Sequence, residues 1–208
     1  MARRGAIHPL PVRVAHGVNA FAMVCMLMSG WAIYNASPIF AFSFPAWATI
    51  GGWLGGSIAW HFAAMWLLAA NGLVYIAYGF ASGHFRRVLL PIRVDELTRD
   101  MRQALGFKLP HRLGVYNAVQ RLLYVVVLLL GILVVASGLS IWKPVQLSWL
   151  TDAFGGYDVA RAVHFIAMAG IAGFIVIHLL MVLIVPETIL PMISGREVPR
   201  EMAREAQP

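Results

Sequence analysis

The sequence predicts an all-α membrane protein, a four-transmembrane-helix bundle with both termini cytoplasmic. Three observations lead there. Apolar residues make up 60% of the 208-residue chain and charged residues 12%, whereas soluble domains run near about 45–50% apolar and about 25% charged. Apolar runs of the roughly 20 residues needed to cross a hydrocarbon core recur four times, at about 12–34, 57–80, 116–141 and 160–185. Arginine and lysine gather beside alternate ends of those runs, which marks the cytoplasmic side.

The first span, 12–34, is preceded and entered by Arg3, Arg4 and Arg13. Its basic start looks like the head of a signal peptide, but the apolar run is too long and has no clear small-residue cleavage site, so it is read as a retained helix. Residues 35–56 carry no charge and are broken by Pro38, Pro45, Gly51, Gly52, Gly55 and Gly56. They cannot form a fifth span. Phe40, Phe42, Phe44, Trp47 and Trp53 instead suit an interfacial loop at headgroup level on the periplasmic side.

The second span, 57–80, leads to a connection bearing Arg86, Arg87, Arg93, Arg99, Arg102, Lys108 and Arg112, hence cytoplasmic. Within it, Asp95 to Leu105 alternates charged and apolar residues as a short amphipathic surface helix does, with Asp95 as its cap. The third span, 116–141, precedes a second outer loop whose charged residues are Lys143, Asp152, Asp158 and Arg161. After the fourth span, 160–185, the tail 186–208 carries Glu187, Arg196, Glu197, Arg200, Glu201, Arg204 and Glu205 and reads as a solvated, partly disordered end. Residues 1–208 are expected to form a single domain in a bacterial inner membrane.

The formal charge of +7 does not point to nucleic acid, because the basic residues flank spans and form no patch interleaved with aromatics. Cys25 is the one cysteine and lies inside the first span, so neither a disulfide nor a thiolate metal site can be built within the chain.

The histidines carry the functional signal. Of seven, His8, His84 and His111 fall in or beside cytoplasmic segments, while His16, His61, His164 and His178 fall inside spans. An ionisable side chain in hydrocarbon usually marks a function, and neutral imidazole is a common haem axial ligand. His164 and His178 are fourteen residues apart, close to four helical turns, so both occupy one face about 21 Å apart along the axis. The first helix runs outward with His16 near its inner end; the second runs inward with His61 near its outer end. Matching depths pairs His61 with His164 outside and His16 with His178 inside. Two bis-histidine haem b sites stacked across a bilayer would make an electron wire.

Competing readings fit less well. Zinc prefers four ligands, and each depth offers two nitrogens with no carboxylate or further thiolate beside them. A proton relay would want Asp or Glu within the spans, and the sequence has none there. A haem-free structural subunit remains the plain alternative, with the histidines hydrogen-bonded to neighbouring helices. Gly17, Gly30, Gly72, Gly131, Gly138, Gly170 and Gly173 suit close helix packing, and Met23, Met26, Met28, Met65, Met168 and Met181 suit the core. Arg13, near His16, and Arg161, one turn before His164, are candidates to bind haem propionates or to anchor at the interface.

The pattern resembles the prokaryotic cytochrome b561-like superfamily of membrane subunits, which includes the b-type cytochrome of nickel-iron hydrogenases, the gamma subunit of formate dehydrogenase and the cytochrome b of thiosulfate-reductase-type enzymes. The likeness rests on VRVAHGVN in helix one, IAWHFAAM in helix two and AVHFIAMAGIAGFIVIHLL in helix four. It covers nearly all of Pro11 to Pro191. The resemblance implies two haem b groups on the four histidines and exchange of electrons with quinone at the inner haem. The formate dehydrogenase branch resembles YNxxQ at the start of helix three; here Tyr116, Asn117 and Gln120 match, with Val119 where that branch has glycine. Asn117 and Gln120 are therefore the expected quinone contacts.

The function expected from these readings is a dihaem membrane cytochrome b. It would pass electrons from a periplasmic redox subunit, by resemblance a molybdenum-cofactor oxidoreductase, through the outer and then the inner haem to the quinone pool, or in the reverse direction for a terminal reductase. The second reading is a stand-alone cytochrome b561-type quinone oxidoreductase acting on a small periplasmic donor or acceptor.

Overall fold

The structure, a computed structural model, describes residues 9–83, 94–105, 118–186 and 189–195. Every regular element among these is helical. In chain order they are α1 (Leu10–Ala36), a 3-10 turn (Ala46–Ala48), α2 (Leu54–Ala81), α3 (Val94–Leu105), α4 (Ala118–Trp142), α5 (Ser148–Ala153), α6 (Tyr157–Ile184) and α7 (Ile189–Ser194). The long helices α1, α2, α4 and α6 are apolar enough to cross a membrane. Their lengths of 27, 28, 25 and 28 residues correspond to roughly 38–42 Å at 1.5 Å per residue. That exceeds a hydrocarbon core of about 30 Å, so their ends reach the headgroups or the helices tilt. The helices fall into two compact units, one holding α1, α2 and α7 and the other holding α3 to α6 up to Leu183.

In the first unit α1 starts at Leu10, ahead of the expected Val12, because Pro11 sits in the first turn, where a proline loses no helical hydrogen bond. The Pro9 carbonyl accepts from the backbone N–H groups of Val12 and Arg13. Ser37 ends the helix by donating its N–H to the Tyr34 carbonyl, and Pro38 follows. The next segment is packed upon itself. Asn35 grips Phe44 twice, donating Nδ2 to its carbonyl and accepting its N–H on Oδ1, each at 2.8 Å. Trp31 stacks on Phe44 at 4.8 Å, and Tyr34 stacks on Phe42 at 5.2 Å. Trp47 and Trp53 remain 83% and 74% exposed, as headgroup anchors would be.

Gly55 and Gly56 belong to α2, although a glycine pair reads as a loop. A Cβ on Gly55 would collide with the Trp53 ring, and one on Gly56 with the Gly51 carbonyl. Their smallness serves close approach. Gly51 itself has φ 107°, and Ser57 Oγ shares its one hydrogen between the carbonyls of Ile50 and Trp53, which fixes the entry to α2. Packed against α1, α2 runs antiparallel to it: His61 meets Ser29, and Asn71 meets Asn19. The segment after α6, expected as a solvated tail, begins with the short helix α7. Arg13 Nη2 donates to the Ile193 carbonyl at 2.6 Å, neutralising the acceptor end of α7.

In the second unit the expected amphipathic helix is present as α3. Asp100, 9% exposed, accepts the Ala118 N–H on Oδ2 at 2.9 Å, so an acidic side chain caps α4 from another helix. At the other end of α4, Ser140 Oγ donates to Thr151 Oγ1 at 3.1 Å, seating α5 in what the sequence reads only as a loop. Gly155 and Gly156, with φ 88° and 104°, turn the chain into α6. Asp158 lies in its first turn, where a negative charge suits the helix dipole.

Candidate functional site

Two of the span histidines are held by the same local device. In the first unit, His61 lies two turns into α2, and its Nδ1 is 3.0 Å from Ser29 Oγ on α1. The Ser29 hydroxyl sends its hydrogen to the Cys25 carbonyl at 2.6 Å. A hydroxyl has one hydrogen to give, so Ser29 accepts from His61 and Nδ1 carries the proton. In neutral imidazole that leaves the lone pair on Nε2. Gly30 completes the seat: a Cβ there would lie 3.5 Å from His61 Cε1.

In the second unit, His164 lies two turns into α6, with Nδ1 at 2.9 Å from the Val134 carbonyl and 3.2 Å from Ser137 Oγ on α4. A carbonyl only accepts, so Nδ1 again carries the proton and Nε2 the lone pair. Ser137 sends its own hydrogen to the Leu133 carbonyl at 2.7 Å. Gly138 follows, and a Cβ there would come within 3.1 Å of His164 Cε1. A Ser-Gly step on the first helix of a hairpin thus seats a histidine on the second helix, once in each unit.

His178 stands fourteen residues beyond His164 on the same unbroken helix α6, which preserves the shared face expected from the sequence. Its ring lies along that of Phe174, with centroids 6.2 Å apart and planes 11° apart. His16 sits near the start of α1 with an exposed side chain. Close by in sequence, Asn71 Nδ2 donates to Asn19 Oδ1 at 2.6 Å and to the Ala15 carbonyl at 2.9 Å. Sequence reasoning passed over these two amides and the two serines. The available signal was a polar residue in each apolar span at positions that match in an antiparallel hairpin.

The other candidate residues are less assembled. Arg13 is engaged with Ile193 through Nη2, while its buried Nε has no hydrogen-bond partner among the described residues. Arg161 lies 4.0 Å from the exposed Asp158. Gln120 is half-buried in the first turn of α4, next to the turn capped by Asp100. Asn117 lies outside the described residues. Among the described residues no group of three or more His, Cys, Asp or Glu stands together to hold a bare metal ion.

The family model described as prokaryotic cytochrome b561 matches residues 7–195. The chain belongs to the prokaryotic cytochrome b561 family. It is also 46% identical over 191 residues, 91% of this chain and 96% of the relative, to a protein of Azospira oryzae named "putative protein-methionine-sulfoxide reductase subunit YedZ1". No solved structure matches the chain.

As a family member the chain is a b561-type haem protein and a multi-pass protein of the bacterial inner membrane. Its residues fit haem b. Axial ligation needs an imidazole lone pair on a ring fixed in orientation. His61 and His164 each offer Nε2 while Nδ1 is anchored on the helix opposite.

Proposed function

We propose that this chain is a single-domain dihaem cytochrome b, the membrane subunit of a reductase complex, carrying electrons from the quinone pool to a periplasmic partner. The observation that carries the reading is the twice-built seat that presents Nε2 of His61 and His164 from two different spans. The ligand pairs are His61 with His164, and His16 with His178. The depth of each histidine within its span supports this pairing, as does the reading of the basic connection after α2 as cytoplasmic.

Each bound haem would supply a one-electron ferric and ferrous couple. The chain's own part is to hold the iron on imidazole nitrogen, to keep water out with apolar spans, and to fix the propionates. Arg161, one turn before His164, and Arg13, one turn before His16, are placed in sequence for that last task. The buried Nε of Arg13, without a hydrogen-bond partner among the described residues, is a donor that suits this role. Asn117 and Gln120 would hold the quinone head group through amide hydrogen bonds near His178. Electrons would enter at that end and leave at the end of His61 and His164.

The relative's description as a reductase subunit supports outward flow, toward a partner that reduces methionine sulfoxide in protein. Such a reduction takes two electrons and two protons and releases water; quinol oxidation supplies both electrons. A molybdenum cofactor in that partner agrees with the resemblance to thiosulfate-reductase-type cytochromes.

The deciding experiment is a dithionite-reduced minus oxidised spectrum of the purified protein, with pyridine haemochrome to count haem b per chain. Two haems per chain are expected. A chain made with ample haem that binds none would end the proposal, and one haem would end the pairing. Quinol-linked turnover of a small acceptor without any partner would replace the complex with the stand-alone reading.

A further inference from the structure

The geometry points to Ser29 and Ser137 as positioning residues for the outer haem, acting through the Nδ1 protons of His61 and His164. This rests on the ligand assignment proposed above. A serine in an apolar helix ordinarily returns its hydroxyl hydrogen to the carbonyl four residues back, as Ser82 and Ser194 do here toward Tyr78 and Leu190. Ser29 and Ser137 do this too, toward Cys25 and Leu133.

With its hydrogen committed, each oxygen presents lone pairs to the neighbouring helix, and each meets a histidine Nδ1, at 3.0 and 3.2 Å. At Gly138 the missing side chain lets the ring come that near, since a Cβ there would stand 3.1 Å from His164 Cε1, whereas at Gly30 the corresponding 3.5 Å is an ordinary contact. Both serines are completely buried, so water does not compete for the bond. The back-bonded hydroxyl is thereby a fixed acceptor that sets the tautomer and plane of the His61 ring and, together with the Val134 carbonyl, of the His164 ring.

The consequence is electronic as well as geometric. An acceptor on Nδ1–H makes the imidazole a stronger base at Nε2. A more basic axial ligand favours ferric over ferrous iron and holds the potential down. Val134 adds a backbone acceptor at His164, which no side-chain substitution removes.

The test uses the purified full-length protein, with a haem count, a potentiometric titration of the visible bands and low-temperature EPR of the ferric state. Ser29→Ala is expected to keep two haems and to move one couple to higher potential, raising its reduced-to-oxidised ratio several-fold at the wild-type midpoint, while the other couple stays. Ser29→Thr, which keeps the hydroxyl, is expected to return that couple to its wild-type position. Ser137→Ala should move the couple in the same direction as Ser29→Ala but by less, because the Val134 carbonyl still accepts; no displacement at all in Ser137→Ala would remove Ser137 from the assignment. Both couples unmoved in Ser29→Ala, or an equal displacement in Ser29→Thr, would overturn the assignment. Loss of one haem in Ser29→Ala that Ser29→Thr restores would support it, and loss in both would overturn it. Wild-type protein with fewer than two haems would instead sink the ligand reading beneath it.

Discussion

Asn71 on α2 donates its side-chain amide to Asn19 on α1 at 2.6 Å and to the neighbouring Ala15 carbonyl at 2.9 Å. The bond closes the α1 and α2 hairpin one turn from His16, at the opposite end from the contact between Ser29 and His61. Two polar clamps therefore fix the register of an otherwise apolar helix pair. Polar contacts between membrane helices are worth about 0.6–2 kcal/mol each. Asn71→Leu is expected to destabilise the protein by that order and, with the ligand pairs proposed above, to loosen the inner haem more than the outer one. Thermal denaturation in detergent, followed at the haem bands, measures both; an unchanged melt with both haems retained would remove the clamp from the account.

Removing a single ligand should remove a single haem. His178→Ala is expected to bring pyridine haemochrome from two haem b per chain to one, with the spectrum of the outer haem intact. Two fully bound haems in that variant would contradict the pairing of His16 with His178.

The glycines beside the two anchored rings should respond by distance. A Cβ at Gly138 would stand 3.1 Å from His164 Cε1, whereas one at Gly30 would stand 3.5 Å from His61 Cε1, an ordinary contact. Gly138→Ala is therefore expected to displace the ring by a few tenths of an ångström and to change the ferric EPR signal of the outer haem. Gly30→Ala should do so less, and Gly131→Ala, whose Cβ would meet nothing within 4 Å, not at all. Equal spectra for all three would count against the seat.

Asp100 ties α3 to the first turn of α4, where Gln120 lies. Asp100→Ala should cost about 1 kcal/mol of helix stability through loss of the cap and slow haem reduction by quinol. Asp100→Asn, which still accepts, should retain most of the rate. Stopped-flow reduction of the two variants separates a capping role from none.

Asn117→Ala and Gln120→Ala are each expected to slow quinol-driven reduction with both haems still bound. A wild-type rate in both variants would move the quinone site elsewhere.

The four spans were legible because length and apolarity are strong signals that no other element of this chain imitates. Their ends were less so. Helix α1 starts ahead of the expected Val12 with Pro11 in its first turn, and the pair Gly55 and Gly56 reads as a breaker yet sits inside α2 with Trp53 and Gly51 packed against it. The short helices α5 and α7 were missed because tertiary bonds hold them, from Ser140 to Thr151 and from Arg13 to Ile193, and six residues carry little periodicity. The histidines stood out by composition. Ser29 and Ser137 did not, since a serine that bonds its own helix leaves no trace of whether its oxygen also accepts from another.

The bond from Arg13 to the Ile193 carbonyl brings residues 180 positions apart to within one side chain of each other. Topologically the polypeptide is close to a closed ring, with the chain entering α1 beside the point it reaches in α7. A dye pair attached near positions 9 and 195 would sit within efficient energy-transfer range in the intact molecule. The same pair would part when this unit unfolds, giving an optical reading of integrity that needs no haem.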